Sequence, residues 1–338
     1  MNDLELLTAL RDADAQPPRP EARADARRAL LTEAARGRRR PPRRRRTWLL
    51  APIGAVVTAA IVLALVTGVD SGDVTPPPAA ARAALERAAR AAQSRPDLNV
   101  GPGKFLYIRE RDAYLSTTGD GPGWSTLTPE IIETWVGRDG SVRIARRSGR
   151  TVFPGPRDRA RWRKARRPDV SGDPGGRPYR HGPEPFVAGG SGLSYDQLAA
   201  LPSGGEAMYH RLIELARDAG PSPDREAFVI IGDLLRSAPV PAKVRAGLYR
   251  AAAYIKGIRF AGHVTDPLGR RGLAVDLAAG DGTRNRLVFD PDTSELLAEE
   301  EVLTRRLPYV DAPPGFAIGS RVVLDVRVVD SDTARGRR

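Results

Sequence analysis

Few residues in this sequence have the type and spacing that chemistry demands. Its three histidines, His181, His210 and His263, are far apart and none stands at metal-ligand spacing. Each reads as a surface or capped residue, and no metal is expected. Gly189-Gly190-Ser191-Gly192-Leu193 misses the nucleophile-elbow pattern at its last position and lies in a Gly-rich loop rather than a strand-to-helix turn. Gly119-Asp120-Gly121-Pro122-Gly123 lacks the lysine of a phosphate loop. Asp290, Asp292, Glu295, Glu299, Glu300 and Glu301 lie close together, but a calcium loop needs ligands at alternating positions around a glycine. They flank a hairpin and read as a solvated turn. No catalytic constellation emerges, so an enzyme is not expected, and no cofactor is implied.

Basic residues are the other candidates. Net charge is +13, and 50 of the 54 basic residues are arginine. Arg143 to Arg167 holds 11 basic residues against one acid, Asp158, with Trp162 among them. Such a run can meet anionic headgroups or envelope polymers, but the plainer reading is a solvated loop in an arginine-rich chain. Residues 1–46 carry 13 Arg against 7 Asp or Glu, a net +6. Arg43, Arg44, Arg45 and Arg46 end that segment directly before the apolar run.

That run, Trp48 to Val69, has 22 residues without a charge. As a helix rising about 1.5 Å per residue it reaches roughly 33 Å, enough for a hydrocarbon core of about 30 Å. Arginines beside a span stay cytoplasmic and bind inner-leaflet headgroups. The expected localisation is therefore the cell membrane, single-pass, with the N-terminus cytoplasmic and the C-terminus extracytoplasmic. A cleaved secretory signal fits poorly, since its leading region would run to 47 residues. There is no Cys, which rules out a lipobox anchor and structural disulfides. Direct nucleic-acid binding is not expected outside the cell.

The elements around these residues follow from periodicity. In residues 1–46, Leu4, Leu7 and Leu10 form one stripe and Leu30 and Leu31 lie on a second helix, split by Gln16-Pro17-Pro18. Two such short amphipathic helices cannot bury a core alone and are expected to dock on a partner. Residues 47–70 are the expected span, 71–103 a linker with a helix over Ala79 to Ser94, 104–329 an extracytoplasmic domain, and 330–338 a tail. Within that domain, strands are predicted over Phe105 to Arg109, Ile131 to Val136 and Ser141 to Ala145, with Arg138-Asp139-Gly140 as a hairpin turn. Residues 154–192 read as a flexible excursion. Helices follow from Ser194, Gly205, Ser222 and Ala242, the third with a Ser cap, Pro at N1 and acids in its first turn. Strands return over Ile258 to Val264, Gly272 to Leu277, Asn285 to Phe289, Glu295 to Leu303 and Ala317 to Val329. Strands, then helices, then a meander imply an α+β fold.

Several stretches together resemble a family of actinobacterial single-pass membrane proteins often encoded beside extracytoplasmic-function sigma factors. They are MNDLELLTALRDADAQPPRPEARADARRALL at the start, AARAALERAARAAQS and GPGKFLYIRE after the apolar run, and GLYRAAAYIKGIRFAGHVTDPLGRRGLAVDL and NRLVFDPDTSELLAEEEVL near the end. The opening resembles the sigma-binding segment of membrane anti-sigma factors, without the Cys and His of the zinc-binding type. The outer part is similar to the lipoprotein-carrier and anti-sigma-regulator folds, a curved antiparallel sheet packed on helices. The resemblance implies an extracytoplasmic-function sigma factor as partner inside, held by Leu4, Leu7, Leu10, Leu30 and Leu31. From a different class, such a half-covered sheet implies an envelope protein whose outer domain holds a lipid or other apolar ligand.

Overall fold

The computed structural model describes residues 78–118, 123–170, 176–188, 191–217, 220 and 222–334. The leucine stripes of residues 1–46, Arg43 to Arg46 and the apolar run Trp48 to Val69 lie outside the described residues. Among the described residues no helix is long and apolar enough to cross a membrane.

The domain is α+β: one nine-stranded antiparallel sheet with helices packed on it. In chain order the elements are α1 (Pro78–Gln93), β1 (Phe105–Thr118), β2 (Trp124–Gly137), β3 (Val142–Ser148), α2 (Pro156–Lys164), β4 (Tyr179–His181), β5 (Phe186–Ala188) and β6 (Ser191–Leu193). Then come α3 (Tyr195–Ala199), α4 (Gly205–Leu215), α5 (Pro223–Ser237), α6 (Ala242–Ala252), β7 (Arg259–Thr265), β8 (Arg271–Ala278), β9 (Thr283–Phe289), β10 (Leu296–Leu303) and β11 (Ala317–Val329). Sheet order is β4-β3-β2-β1-β11-β10-β9-β8-β7. Two meanders, β1–β4 and β7–β10, are thus joined by the last strand. β11 pairs with β1 from Phe105↔Val329 to Tyr114↔Gly319 and with β10 from Ala298↔Val322 to Val302↔Ala317.

The core lies between β8–β10 and the helices. Leu273, Val275 and Leu277 alternate along β8, and Leu287, Phe289 and Leu296 continue the same apolar surface. Helix α5 covers it with Phe228, Ile231, Leu234 and Leu235, all buried. Each such side chain contributes about 1.5–3 kcal/mol by burial. The helix starts as its sequence dictates: Ser222 Oγ accepts a hydrogen bond from Arg225 N, Pro223 opens the first turn, and Asp224 and Glu226 lie at the positive end of the helix dipole. Behind it, α1 packs on α6 through Ala81, Leu85, Ala88 and Ala92, a stripe at helical spacing whose small residues let the two backbones approach.

The segment 154–192 contains α2, β4 and the β5–β6 hairpin. What fixes α2 is Asp158, fully buried, whose carboxylate accepts hydrogen bonds from Ser125 N at 3.1 Å and Asp311 N at 2.9 Å. The one acid in the basic run is therefore a tether, and Arg143, Arg146 and Arg147 belong to the paired strand β3 rather than a loop.

Candidate functional site: the seam between helices and sheet

Helix α5 meets the sheet through a charged cluster as well as an apolar one. Pairing of Glu299 with Arg321 and of Arg321 with Asp112 sets three charged residues in one row across β10, β11 and β1. Glu110 lies two residues before Asp112 and therefore on the same face. From α5, Arg236 reaches into this row. Its Nε donates to Glu299 Oε1 at 2.8 Å, its Nη1 to Glu110 Oε1 at 3.2 Å and its Nη2 to Asp233 Oδ1 at 2.6 Å. Arg321 Nη1 donates to Asp233 Oδ1 at 3.2 Å, while its Nε stands 3.9 Å from Asp112 Oδ2.

Four carboxylates thus share two guanidiniums. Burial works against the charge of Arg236, but Glu299, Glu110 and Asp233 outweigh it and hold its pKa well above the ordinary value. At Asp112 the balance goes the other way. Burial, reinforced by Glu110, raises its carboxyl to about 7 despite Arg321 and Arg236, and its Oδ1 has no hydrogen-bond partner. The cluster's hydrogen bonds clamp α5 onto the sheet. The acids read from sequence as a solvated turn divide here. Asp290 does cap its turn, accepting from Asp292 N and Thr293 N, but Glu299 and Glu300 lie on β10 with side chains largely buried. The run LLAEEEVL hides its alternation because β10 is irregular between Leu296 and Ala298.

Two larger cavities are lined by other residues. A groove of about 670 Å³, open to solvent, runs past Phe105, Arg138, Phe186 and Tyr195. Its polar groups are mutually engaged: the Arg138 guanidinium lies 4.4 Å from the Tyr195 ring centroid and 3.0 Å from Asp196 Oδ1. A more enclosed cavity of about 310 Å³ lies where the end of α1 and the chain after it (Ala92, Arg95, Leu98) meet Arg245 of α6, the β9–β10 turn and β11. Its greater enclosure makes this the more site-like of the two.

Leu4, Leu7, Leu10, Leu30, Leu31, Arg43, Arg44, Arg45 and Arg46 lie outside the described residues, and so does the stretch Trp48 to Val69. Among the histidines, His210 and His263 are exposed. Arg95, Arg245 and Ser294, which line the enclosed cavity, drew no attention in the sequence. A signal existed for one of them: Arg245 interrupts the apolar run of α6 between Val244 and Leu248.

No protein-family model matches the chain, and no curated protein matches it in sequence. Among solved structures, it is similar to the crystal structure of MucB in complex with MucA(peri), at 14% identity and a TM-score of 0.26, over 75% of this chain and 57% of that one. It is also similar to the complex structure of Pseudomonas aeruginosa MucA/MucB, at 12% identity and a TM-score of 0.23, over 75% of this chain and 59% of that one. The chain thus spans somewhat over half the length of these solved chains, and likeness at this level fixes neither fold nor partner.

Proposed function

We propose that the chain is a single-pass membrane regulator of anti-sigma type, coupling an extracytoplasmic sensor domain to a cytoplasmic sigma factor. The observation that carries this reading is the position of the enclosed cavity. Its wall includes the end of α1 and the residues after it, and α1 begins at Pro78, nine residues after Val69 closes the uncharged run. A ligand entering the cavity bears on the helix that leads back to the membrane. The alanine stripe between α1 and α6 suits small sliding shifts, because it lacks interlocking large side chains apart from Leu85.

Inside, Leu4, Leu7, Leu10, Leu30 and Leu31 supply the i, i+3 anchors of a groove-docked helix. The test is recovery of a co-expressed extracytoplasmic-function sigma factor on the full-length chain. Leu7→Asp with Leu30→Asp should abolish recovery. Each leucine contributes roughly 1.5–3 kcal/mol, and a carboxylate in its place costs more, against about 8 kcal/mol for a micromolar complex. Arg44→Gln with Arg45→Gln should leave it unchanged, since those side chains are held at headgroups. Silent leucine changes, or no sigma factor recovered at all, sink the regulator reading. The cavity favours one alternative, an envelope protein that holds a lipid or other apolar ligand and has no cytoplasmic partner.

A further inference from the structure

The two ends of the sheet differ in how their exposed cations are held. Alternate connections of an antiparallel sheet share an end. The β9–β10 turn, the β2–β3 turn and the start of β1 therefore lie at one end. The β8–β9 turn, the β10–β11 loop and α2, which follows β3, lie at the other. At the first end the cations are paired: Arg95 with Glu295 at 2.9 Å, Lys104 with Asp330 at 3.3 Å and Arg138 with Asp196 at 3.0 Å. At the second end most are not. Residues 156–169 and 304–311 carry nine basic residues against three acids, Asp158, Asp169 and Asp311. Asp158 is buried, and Asp311 Oδ2 accepts from Arg157 N at 2.8 Å. Asp281 and Glu301, at the base of the same loop, both accept from Thr283 Oγ1. Among the described residues α2 forms one ion pair, Arg157 with Asp311 at 3.9 Å. Arg159, Arg163, Lys164, Arg166, Arg167 and Arg305 are all exposed, and Arg305 donates to a backbone carbonyl, that of Asp281, at 3.2 Å.

These residues form one built surface. Ser125 Oγ donates to the Tyr309 carbonyl at 2.7 Å while Ser125 N donates to Asp158 of α2, so the β10–β11 loop and α2 meet on β2. Tyr309 itself is 42% exposed. The end of α2 is fixed by Trp162, whose Nε1 donates to the Pro168 carbonyl at 2.8 Å and whose ring lies 5.2 Å from that of Phe153. That closing turn holds Arg166 and Arg167 at φ +64 and +56, positions glycine would take at less cost. Helix α1 enters at this same end. It lies antiparallel to α6, with Glu86 bound by Arg250 near the end of α6, and with Ala92 and Arg95 beside Ala242 and Arg245 at its start. The chain after α6 comes back to the basic end, where Lys256 N donates to Asp224 Oδ1 at 3.3 Å and Arg225 Nη1 to the Ala279 carbonyl at 3.0 Å. Pro78, which opens α1, follows Val69 by nine residues, a reach of at most about 30 Å.

We propose that this basic end is a docking surface for anionic phospholipid, laid against the outer leaflet of the membrane that the chain crosses. Guanidiniums of α2 and its closing turn match headgroup phosphates in charge and in fork geometry, and Tyr309 has the amphipathic ring that suits the interface. An acidic protein would meet the same charge, but the exposed tyrosine and the short link back to the uncharged run favour lipid. The leaflet it meets follows from the single-pass reading; nothing here depends on a sigma factor or on either cavity.

The scarcity of lysine makes the test. Lys164 lies on α2, whereas Lys104 and Lys243 stand exposed at the opposite end. The full-length chain would be reconstituted into vesicles of phosphatidylcholine, or of equal parts phosphatidylcholine and phosphatidylglycerol. A membrane-impermeant acetylating reagent then reaches molecules whose domain faces out, and mass spectrometry reads the rate at each lysine. Lys164 should react about threefold more slowly or less in the mixed vesicles, with Lys104 and Lys243 unchanged, and high salt should restore its rate. Arg163→Gln with Arg166→Gln and Arg167→Gln should restore it too, without lowering the thermal midpoint. Vesicle flotation separates this surface from the span. A chain that floats with neutral vesicles and shows equal Lys164 rates in both overturns the docking surface and leaves the span standing. Flotation with phosphatidylglycerol alone supports the surface without the span, and flotation with neither overturns both. Protection of Lys164 in neutral vesicles by polyglutamate, with none from phosphatidylglycerol, overturns the lipid surface in favour of an acidic protein.

Discussion

Two buried arginines on neighbouring helices have opposite surroundings. Arg236, near the end of α5, is held by Glu299, Glu110 and Asp233. Arg245, in α6, has a backbone carbonyl and no carboxylate. A paired guanidinium in a seam fixes two elements against each other, whereas an unpaired one in a cavity costs stability until something fills the cavity. The comparison separates a guanidinium that holds two elements together from one that does not, although both groups are arginines in an arginine-rich chain.

The sharpest way to break the paired side is Arg236→Met. It leaves Glu110, Glu299 and Asp233 buried around an apolar side chain, and removing one partner of such a cluster costs about 3–5 kcal/mol. The thermal midpoint should fall by on the order of 10 °C, read by circular dichroism. A fall of a degree or two would mean that the cluster is solvated and clamps nothing.

A smaller effect sharpens the same side through pH. Burial first, then Glu110, raises Asp112 to about 7, and burial raises Glu300 to about 7 against the pull of Arg286. In the unfolded chain both ionise near pH 4. Between about pH 4 and 7 the native state therefore holds protons that the unfolded state has lost, and stability falls as pH rises through that window. Their contribution is present at pH 4 and gone by about pH 8. The midpoint should drop by several degrees between pH 5 and pH 8, and Asp112→Asn should flatten about half of that slope. An unchanged slope in the variant would place the titration elsewhere.

Much of this architecture is legible in the sequence, and the exceptions have physical causes. The caps at Ser194 and Ser222 and the Asp139-Gly140 turn appear where local rules put them, since their hydrogen bonds lie within a few residues. β2 runs back to Trp124 through Pro129, which a strand interior would reject; Pro129 lies where the pairing with β3 ends, beyond Glu130↔Ser148. β11 between β1 and β10 joins strands some 200 residues apart, and no local pattern encodes that. Glu299 and Glu300 looked solvated because charge in a strand reads as exposure until the partner arginines, far along the chain, are known. Ser294 was invisible for a related reason: a missing partner has no sequence signature.

The most direct test of the contrast is one matched pair of unfolding measurements. Arg236→Met and Arg245→Met would be melted in urea alongside the parent, without added ligand, at pH 7. The account expects Arg236→Met to lose about 3–5 kcal/mol and Arg245→Met to change by less than about 1 kcal/mol in either direction, because replacing an unpaired buried charge removes a cost along with a hydrogen bond. Equal losses in the two variants would contradict it, since Arg245 would then be as structural as Arg236.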